Sequence, residues 1–220
     1  MSDSISKQFG PTDRTKHQRI PARGSFEAKG IYEVIDEADV CSVGVVMDGQ
    51  AFVIPMAHVR VRSKVYFHGS HQSRLMTLLE HGGRICLSFT VIDAMVIARS
   101  VVHNSMNYRS VVAFGHGEKL HDEEKKMAVF KTLSDKILPG RWEDCKLPTD
   151  SEMKMTAVIG VELEEASKKQ RSGPPEDVKS DYELPLWAGV IPLKRTFGEP
   201  VDDPLNLEGV ERPMYLNGEC

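Results

Sequence analysis

The sequence predicts a mainly β protein, an antiparallel barrel carrying a few peripheral helices, on three observations. Six or seven short apolar runs recur along the 220 residues, most of them joined by hairpin signals. Asp48-Gly49 lies between two of these runs, and that dipeptide supplies the positive φ angles of a tight turn. Arg84 to Val91 alternates strictly, with Ile85, Leu87, Phe89 and Val91 on one face and Cys86, Ser88 and Thr90 on the other, the period of a half-buried strand.

Taken in order, residues 1–24 carry Arg14, Lys16, Arg19 and Arg23 among Pro and Gly and read as an extended arm over the domain surface. Ser25 reads as the N-cap of a helix whose Ala28, Ile31, Ile35 and Ala38 share one face, ending near Asp39. Val40–Met47 and Ala51–Met56 form the hairpin about Asp48-Gly49, and Ser63-Lys64 turns the chain into a strand from Val65 to His68. Ser70 to His81 is a short helix with Leu75, Met76, Leu78 and Leu79 apolar, closed by Gly82-Gly83. Met95–Val102 is expected to pair with the Arg84 strand across Asp93-Ala94, and Arg109–Leu120 supplies a further strand. Asp122 to Leu138 is a helix with Met127, Phe130, Leu133 and Ile137 as its stripe and three acids in its first turn, and Pro139-Gly140 ends it. Ala157–Leu163 is the last central strand. The segment beyond Ala166, KKQRSGPPEDVKSDYELP, reads as a polar loop before apolar character returns at Leu186–Leu193. Splitting these strands would leave two open sheets, so one domain over 25–204 is expected, with an arm at 1–24 and a tail at 205–220.

Lys plus Arg number 28 and Asp plus Glu 32, a net charge of −4, which argues against capture of nucleic acid or an anionic membrane by bulk charge. No apolar run approaches the roughly 20 residues of a membrane helix, and the polar amino terminus has no apolar core of a secretory signal, so a cytoplasmic protein is expected. Cys41, Cys86, Cys145 and Cys220 are far apart and form no CxxC pair, which favours reduced thiols.

Chemistry concentrates in Val65–Arg74, a strand running into a helix start. Hydroxyls, free backbone N–H groups and an arginine at such a junction suit a phosphate, so Ser73 and Arg74 are the anion candidates, with a simple helix cap and a solvated arginine as the alternative. His68 and His71 have no convergent third and fourth ligands, and no metal site is expected. His68, which follows two aromatics, suits contact with a ligand ring or proton transfer to a substrate. In the polar stretch His103–Ser110, Asn107 and Ser110 suit the edge of a flat heterocycle. No serine lies in a G-x-S-x-G elbow, and no GxGxxG or Walker glycine pattern is present.

Several motifs occur together: TDRTKHQRIPARG (Thr12–Gly24), VYFHGSHQSRLMTLL (Val65–Leu79), NYRSVVAFGHGEKL (Asn107–Leu120), PGRW (Pro139–Trp142) and KKQRSGPPEDVKSDYELPLWAGVIPL (Lys168–Leu193). In this order the chain resembles, from Thr12 to Pro204, the nitroimidazole-resistance-type branch of the pyridoxamine-phosphate-oxidase-like flavin-binding family. The resemblance implies a split antiparallel β-barrel with peripheral helices that forms a homodimer and holds FMN in a cleft between subunits. It places the FMN phosphate at Ser73 and Arg74 and the isoalloxazine against the strand edge Ile54-Pro55-Met56. Tyr66, Phe67 and His68 would line the next strand, Ser110 with Asn107 and Arg109 would meet the cofactor, and Trp187 would cover the ring or pack in the barrel. Lys168, Arg171 and Asp181 fall in the family's motif without an assigned role. The chain lacks the carboxy-terminal Arg-x-His of true pyridoxamine-phosphate oxidases, which argues against vitamin B6 synthesis. The implied activity is an FMN-dependent oxidoreductase moving electrons from NAD(P)H to a small nitroaromatic or quinone-like acceptor, with His68 at the acceptor. The alternative is a flavin- or haem-binding protein without turnover, and FAD and haem are the alternative cofactors.

Overall fold

In the computed structural model, which describes residues 8–216, the elements follow in the order β1 (Gly24–Ser25), α1 (Ala28–Glu37), β2 (Val40–Met47), β3 (Gln50–Ala57), β4 (Val59–Val61), β5 (Lys64–Ser70), α2 (Arg74–Glu80), β6 (Arg84–Ile97), β7 (Ser105–Lys119), α3 (Glu123–Ile137), α4 (Asp150–Met155), β8 (Thr156–Glu162), β9 (Glu165–Arg171) and β10 (Gly189–Pro192). Neighbouring strands run β3-β2-β6-β7-β8-β5-β4, every pairing antiparallel. His58 alone separates β3 from β4, so the chain itself closes the ring. The protein is therefore a mainly β antiparallel barrel with peripheral helices, as the alternation and the hairpin signals predict.

Local chemistry explains the joints. Asp48 and Gly49 take φ of 51° and 75°, the conformation that lets β2 and β3 twist together across two residues. At the fork where β7 leaves β9 for β8, a Cβ on Gly115 would lie 2.3 Å from the Glu162 carbonyl, so no side chain fits there. The interior is filled by Val43, Val65, Phe67, Leu87, Phe89, Ile159 and Leu163 with the apolar face of α1, Ile31, Val34 and Ile35. On the other side of β5 and β8, Val129 and Leu133 of α3 pack on Val59 and Val158 with Tyr66, Leu120 and Phe130. β8 is buried on both faces as a result.

Several expectations need correction. No turn occurs at Asp93-Ala94: β6 runs through it as one strand of 14 residues, with a bulge between Ile92 and Ala94, and pairs with β7 from Ser105 onward. The reversal comes at 98–104, where Asn104 Oδ1 accepts from Ala98 N and the Asp177 carboxylate accepts from Arg99 N and Ser100 N. The polar stretch before Arg109 is thus strand, not loop. Residues 165–171, read in part as loop, are β9, paired with β7 on one side and β1 on the other. Ser25 does not cap α1: Glu27 holds the N-cap position, and the Ser25 hydroxyl accepts from Glu27 N. α2 is shorter than expected, beginning after Ser73, and the unanticipated α4 opens on a Thr149–Glu152 capping box.

The arm is held down. Phe9 is buried edge-on to Tyr32, and Arg14 pairs with Glu165. Among the described residues Cys41, Cys86 and Cys145 are free thiols, and no helix is long and apolar enough to cross a membrane.

Candidate functional site

β3 ends the strand path, and among the described residues its outer edge pairs with no other strand. Its period-two alternation turns Phe52, Ile54 and Met56 inward, while Pro55, which has no N–H to offer a neighbour, is exposed. Facing them across the barrel seam are Gly69 and Ser70 at the end of β5 and Ser73–Met76 of α2. Together with Met47 these residues enclose a pocket of about 350 Å³, apolar along Met47, Phe52, Ile54 and Met56 and polar at Ser70, Ser73 and Arg74.

The polar end has a defined electrostatic character. Ser73 Oγ accepts from Met76 N at 3.2 Å, which leaves its hydroxyl hydrogen free to donate. Arg74 is exposed, its guanidinium 5.6 Å from the centre of the Phe52 ring, and among the described residues it pairs with no carboxylate. An unneutralised arginine beside a free hydroxyl, above an apolar wall and an open strand edge, suits a flat ring system that carries an anionic tail. Of the sequence candidates, Ile54, Met56, Ser73 and Arg74 are brought together here, with Pro55 on the opposite face of the same strand edge.

The others lie elsewhere. Phe67 points with Val65 into the barrel and is 1% exposed, so it is a core residue and not a wall of this pocket. Tyr66 and His68 occupy the opposite face of β5: Tyr66 packs beneath α3, and the His68 ring meets Phe130 edge-on at 5.4 Å. His68 lines a separate cavity of about 300 Å³ with Phe130, Lys146, Leu147, Pro148, Glu152 and Thr156. Burial lowers the His68 pKa, which favours the neutral imidazole. Asn107 is buried, donating to Gly173 O at 3.1 Å and accepting from Arg171. Arg109 is committed to Glu37 and Asp93, which raise its pKa, and Ser110 Oγ donates to Lys169 O at 3.4 Å. Trp187 is 68% exposed, lies just before β10 and rests against Gly189, the first residue of that strand. Phe52 and Met47 were missed by sequence reasoning. The alternation that pairs Phe52 with Ile54 and Met56 is the signal that could have found Phe52.

Residues 27–170 match the sequence model of the pyridoxamine 5'-phosphate oxidase family. Among solved structures, the flavocytochrome Anf3 from Azotobacter vinelandii is 36% identical, covers 95% of this chain and 97% of its own, and superposes with a TM-score of 0.87. The FAD and haem binding protein from Mycobacterium smegmatis is 28% identical over 90% of this chain and 97% of its own, with a TM-score of 0.83. A candidate 5-nitroimidazole antibiotic resistance protein from Bacteroides thetaiotaomicron, 20% identical over 65% of this chain and 83% of its own at a TM-score of 0.55, shares the fold. No curated protein matches the sequence. The family match over well over half of the chain, and the identity to Anf3 across nearly all of it, establish that the chain belongs to the pyridoxamine 5'-phosphate oxidase family.

Proposed function

We propose that the protein is a flavin-binding oxidoreductase that works as a homodimer and passes electrons from NAD(P)H to a small oxidised acceptor of the nitroaromatic or quinone class. The observation that carries this reading is the seam pocket, where Arg74, unpaired among the described residues, stands over an apolar wall of Met47, Phe52, Ile54 and Met56. The residues fit a flavin: Arg74 and Ser73 would hold the phosphate, Phe52, Ile54 and Met56 would exclude water from the ring, and the open edge of β3 offers backbone groups to the ring's polar rim. A flavin held there would supply the redox chemistry, accepting hydride from the nicotinamide and donating electrons to the acceptor. A flavocytochrome and an FAD- and haem-binding protein among the similar structures support a flavin, with FAD as well as FMN a fitting occupant.

A dimer is supported by the apolar surface the single chain leaves uncovered. Val46 and Val53 on the outer sheet face are 64% and 71% exposed, and Phe197, Val201 and Leu205 beyond β10 are 72%, 93% and 86% exposed.

A second reading, haem binding, is favoured by His68. Burial lowers its pKa and so favours the neutral imidazole, which has no hydrogen-bond partner among the described residues and opens into its own cavity, and such a nitrogen would be able to ligate haem iron. In that reading His68 holds haem and takes no part in proton transfer to the acceptor.

Absorption of the purified protein separates the readings. Flavin bands that bleach on addition of NAD(P)H support the oxidoreductase. A Soret band lost in His68→Ala with the flavin bands retained adds the haem site. A colourless protein that takes up neither added cofactor contradicts both.

A further inference from the structure

A second polar pocket, of about 350 Å³, shares no residue with the seam pocket. It is lined by Ala22, Arg23, Gly24 and Ser25 around β1, by Lys168, Gln170 and Ser172 around the end of β9, and by Glu176. The pairing of Ser25 with Lys168 fixes its geometry, and the alternation of β9 sets Lys168 and Gln170 on the same face. Lys169 points the other way and donates to Arg19 O at 3.2 Å.

The balance of donors and acceptors in this pocket is one-sided. The Lys168 ammonium has no carboxylate or hydrogen-bond partner among the described residues. Its stem and ammonium lie along α1 where Gly30 leaves room: a Cβ there would come within 3.3 Å of Nζ. Arg23 is 28% exposed and has one distant carboxylate, Glu176 at 3.9 Å, which is itself 79% exposed. Ser25 Oγ already accepts from Glu27 N at 3.2 Å, so its hydrogen is free to donate. Two cations of different geometry, two hydroxyls and an amide therefore converge, opposed by one solvent-facing acid. A volume of about 350 Å³ falls at the small end of ligand sites, well beyond a single ion or a few waters of roughly 30 Å³ each.

We propose that this pocket binds a small phosphate-bearing ligand, with Lys168 as the point charge, Arg23 as the bidentate partner and Ser25 and Gln170 as neutral donors. The site shares no residue with the seam pocket and gives Lys168 a role that the family motif leaves open.

The test is calorimetric titration of the purified protein with pyrophosphate, and with citrate as a carboxylate control. Binding is read in Arg74→Ala, which removes the seam pocket's cation, as well as in the unaltered protein, so failure of the flavin reading does not mask the result. Saturable binding of one pyrophosphate per chain is expected, stronger than citrate and weakened about tenfold or more in Lys168→Ala and in Arg23→Ala, with flavin content unchanged. Gly30→Ala keeps a good helix former in α1 while crowding the Lys168 ammonium, so it weakens pyrophosphate binding in a protein that still folds, even if Lys168→Ala does not. Absence of pyrophosphate binding to the unaltered protein, citrate binding as tightly as pyrophosphate, or binding indifferent to Arg23→Ala and Gly30→Ala would each overturn the proposal. Loss of flavin in step with loss of pyrophosphate binding would also overturn it, by assigning these residues to the cofactor.

Discussion

Arg109 grips Asp93, donating from Nη2 at 2.6 Å and from Nε at 3.1 Å, so that an arginine of β7 holds the bulged residue of the strand beside it. Glu37 at the end of α1 takes the remaining guanidinium edge, and that bond holds its carboxyl below the usual carboxylate range. Asp93 is thus a clamp in a continuous strand, and Arg109 has no charge left for a ligand.

Arg109→Ala is expected to lower stability by roughly 1 to 2 kcal/mol, a figure kept small because both acids are well exposed to solvent. Flavin affinity is expected to stay as it was. Urea unfolding and a flavin titration on the same preparation check both halves.

Phe67 is expected to behave as a core residue. Truncation to alanine should cost about 3 to 5 kcal/mol, whereas Phe67→Leu should cost far less and leave the flavin spectrum unchanged. A spectral shift in Phe67→Leu with little loss of stability would return this ring to the cofactor.

His58 predicts a pH dependence. Buried at the β3–β4 junction, with Nε2 2.8 Å from Ile35 O and its ring 4.9 Å from Phe89, it has its pKa pushed down to about 4 by burial. The unfolded chain, with an ordinary histidine near 6.5, binds the proton more readily than the native state. The stability contribution is therefore complete above pH ~6.5 and is lost as pH falls toward about 4, by on the order of 3 kcal/mol. Urea unfolding across that window should show the decline in the unaltered protein and a shallower one in His58→Gln.

How far the sequence discloses this depends on the range of each interaction. β2, β3 and their turn are legible because Asp48-Gly49 and the apolar alternation are local. The start of α2 is legible for the same reason, since the capping hydroxyl of Ser73 and the N–H it accepts from lie three residues apart, the helix cap that is the alternative to an anion site. Phe67 misleads because Tyr66, Phe67 and His68 read as one aromatic patch, whereas the strand period sends the middle one inward and its neighbours out. β9 is hidden by Lys168, Lys169, Gln170 and Arg171, a polar run that reads as loop, although the Lys169 head reaches the Arg19 carbonyl and Arg171 is buried. The commitment of Arg109 depends on a residue 72 positions away, and no local pattern announces it.

Dimerisation and cofactor binding are expected to be linked. Sedimentation should give twice the 24.6 kDa of the chain, and added flavin should shift the monomer–dimer balance toward the dimer at low concentration. A monomer that binds flavin with unaltered affinity would remove the second subunit from the cofactor site.

The central claim rests on Arg74, and the affinity of the apoprotein for flavin in the unaltered protein and in Arg74→Ala tests it most directly. Loss of one charge-assisted bond to the phosphate predicts affinity weakened by about tenfold or more, with the melting temperature nearly unchanged because the side chain is exposed and, among the described residues, pairs with no carboxylate. Equal affinity in the two proteins would contradict the seam pocket as the flavin site.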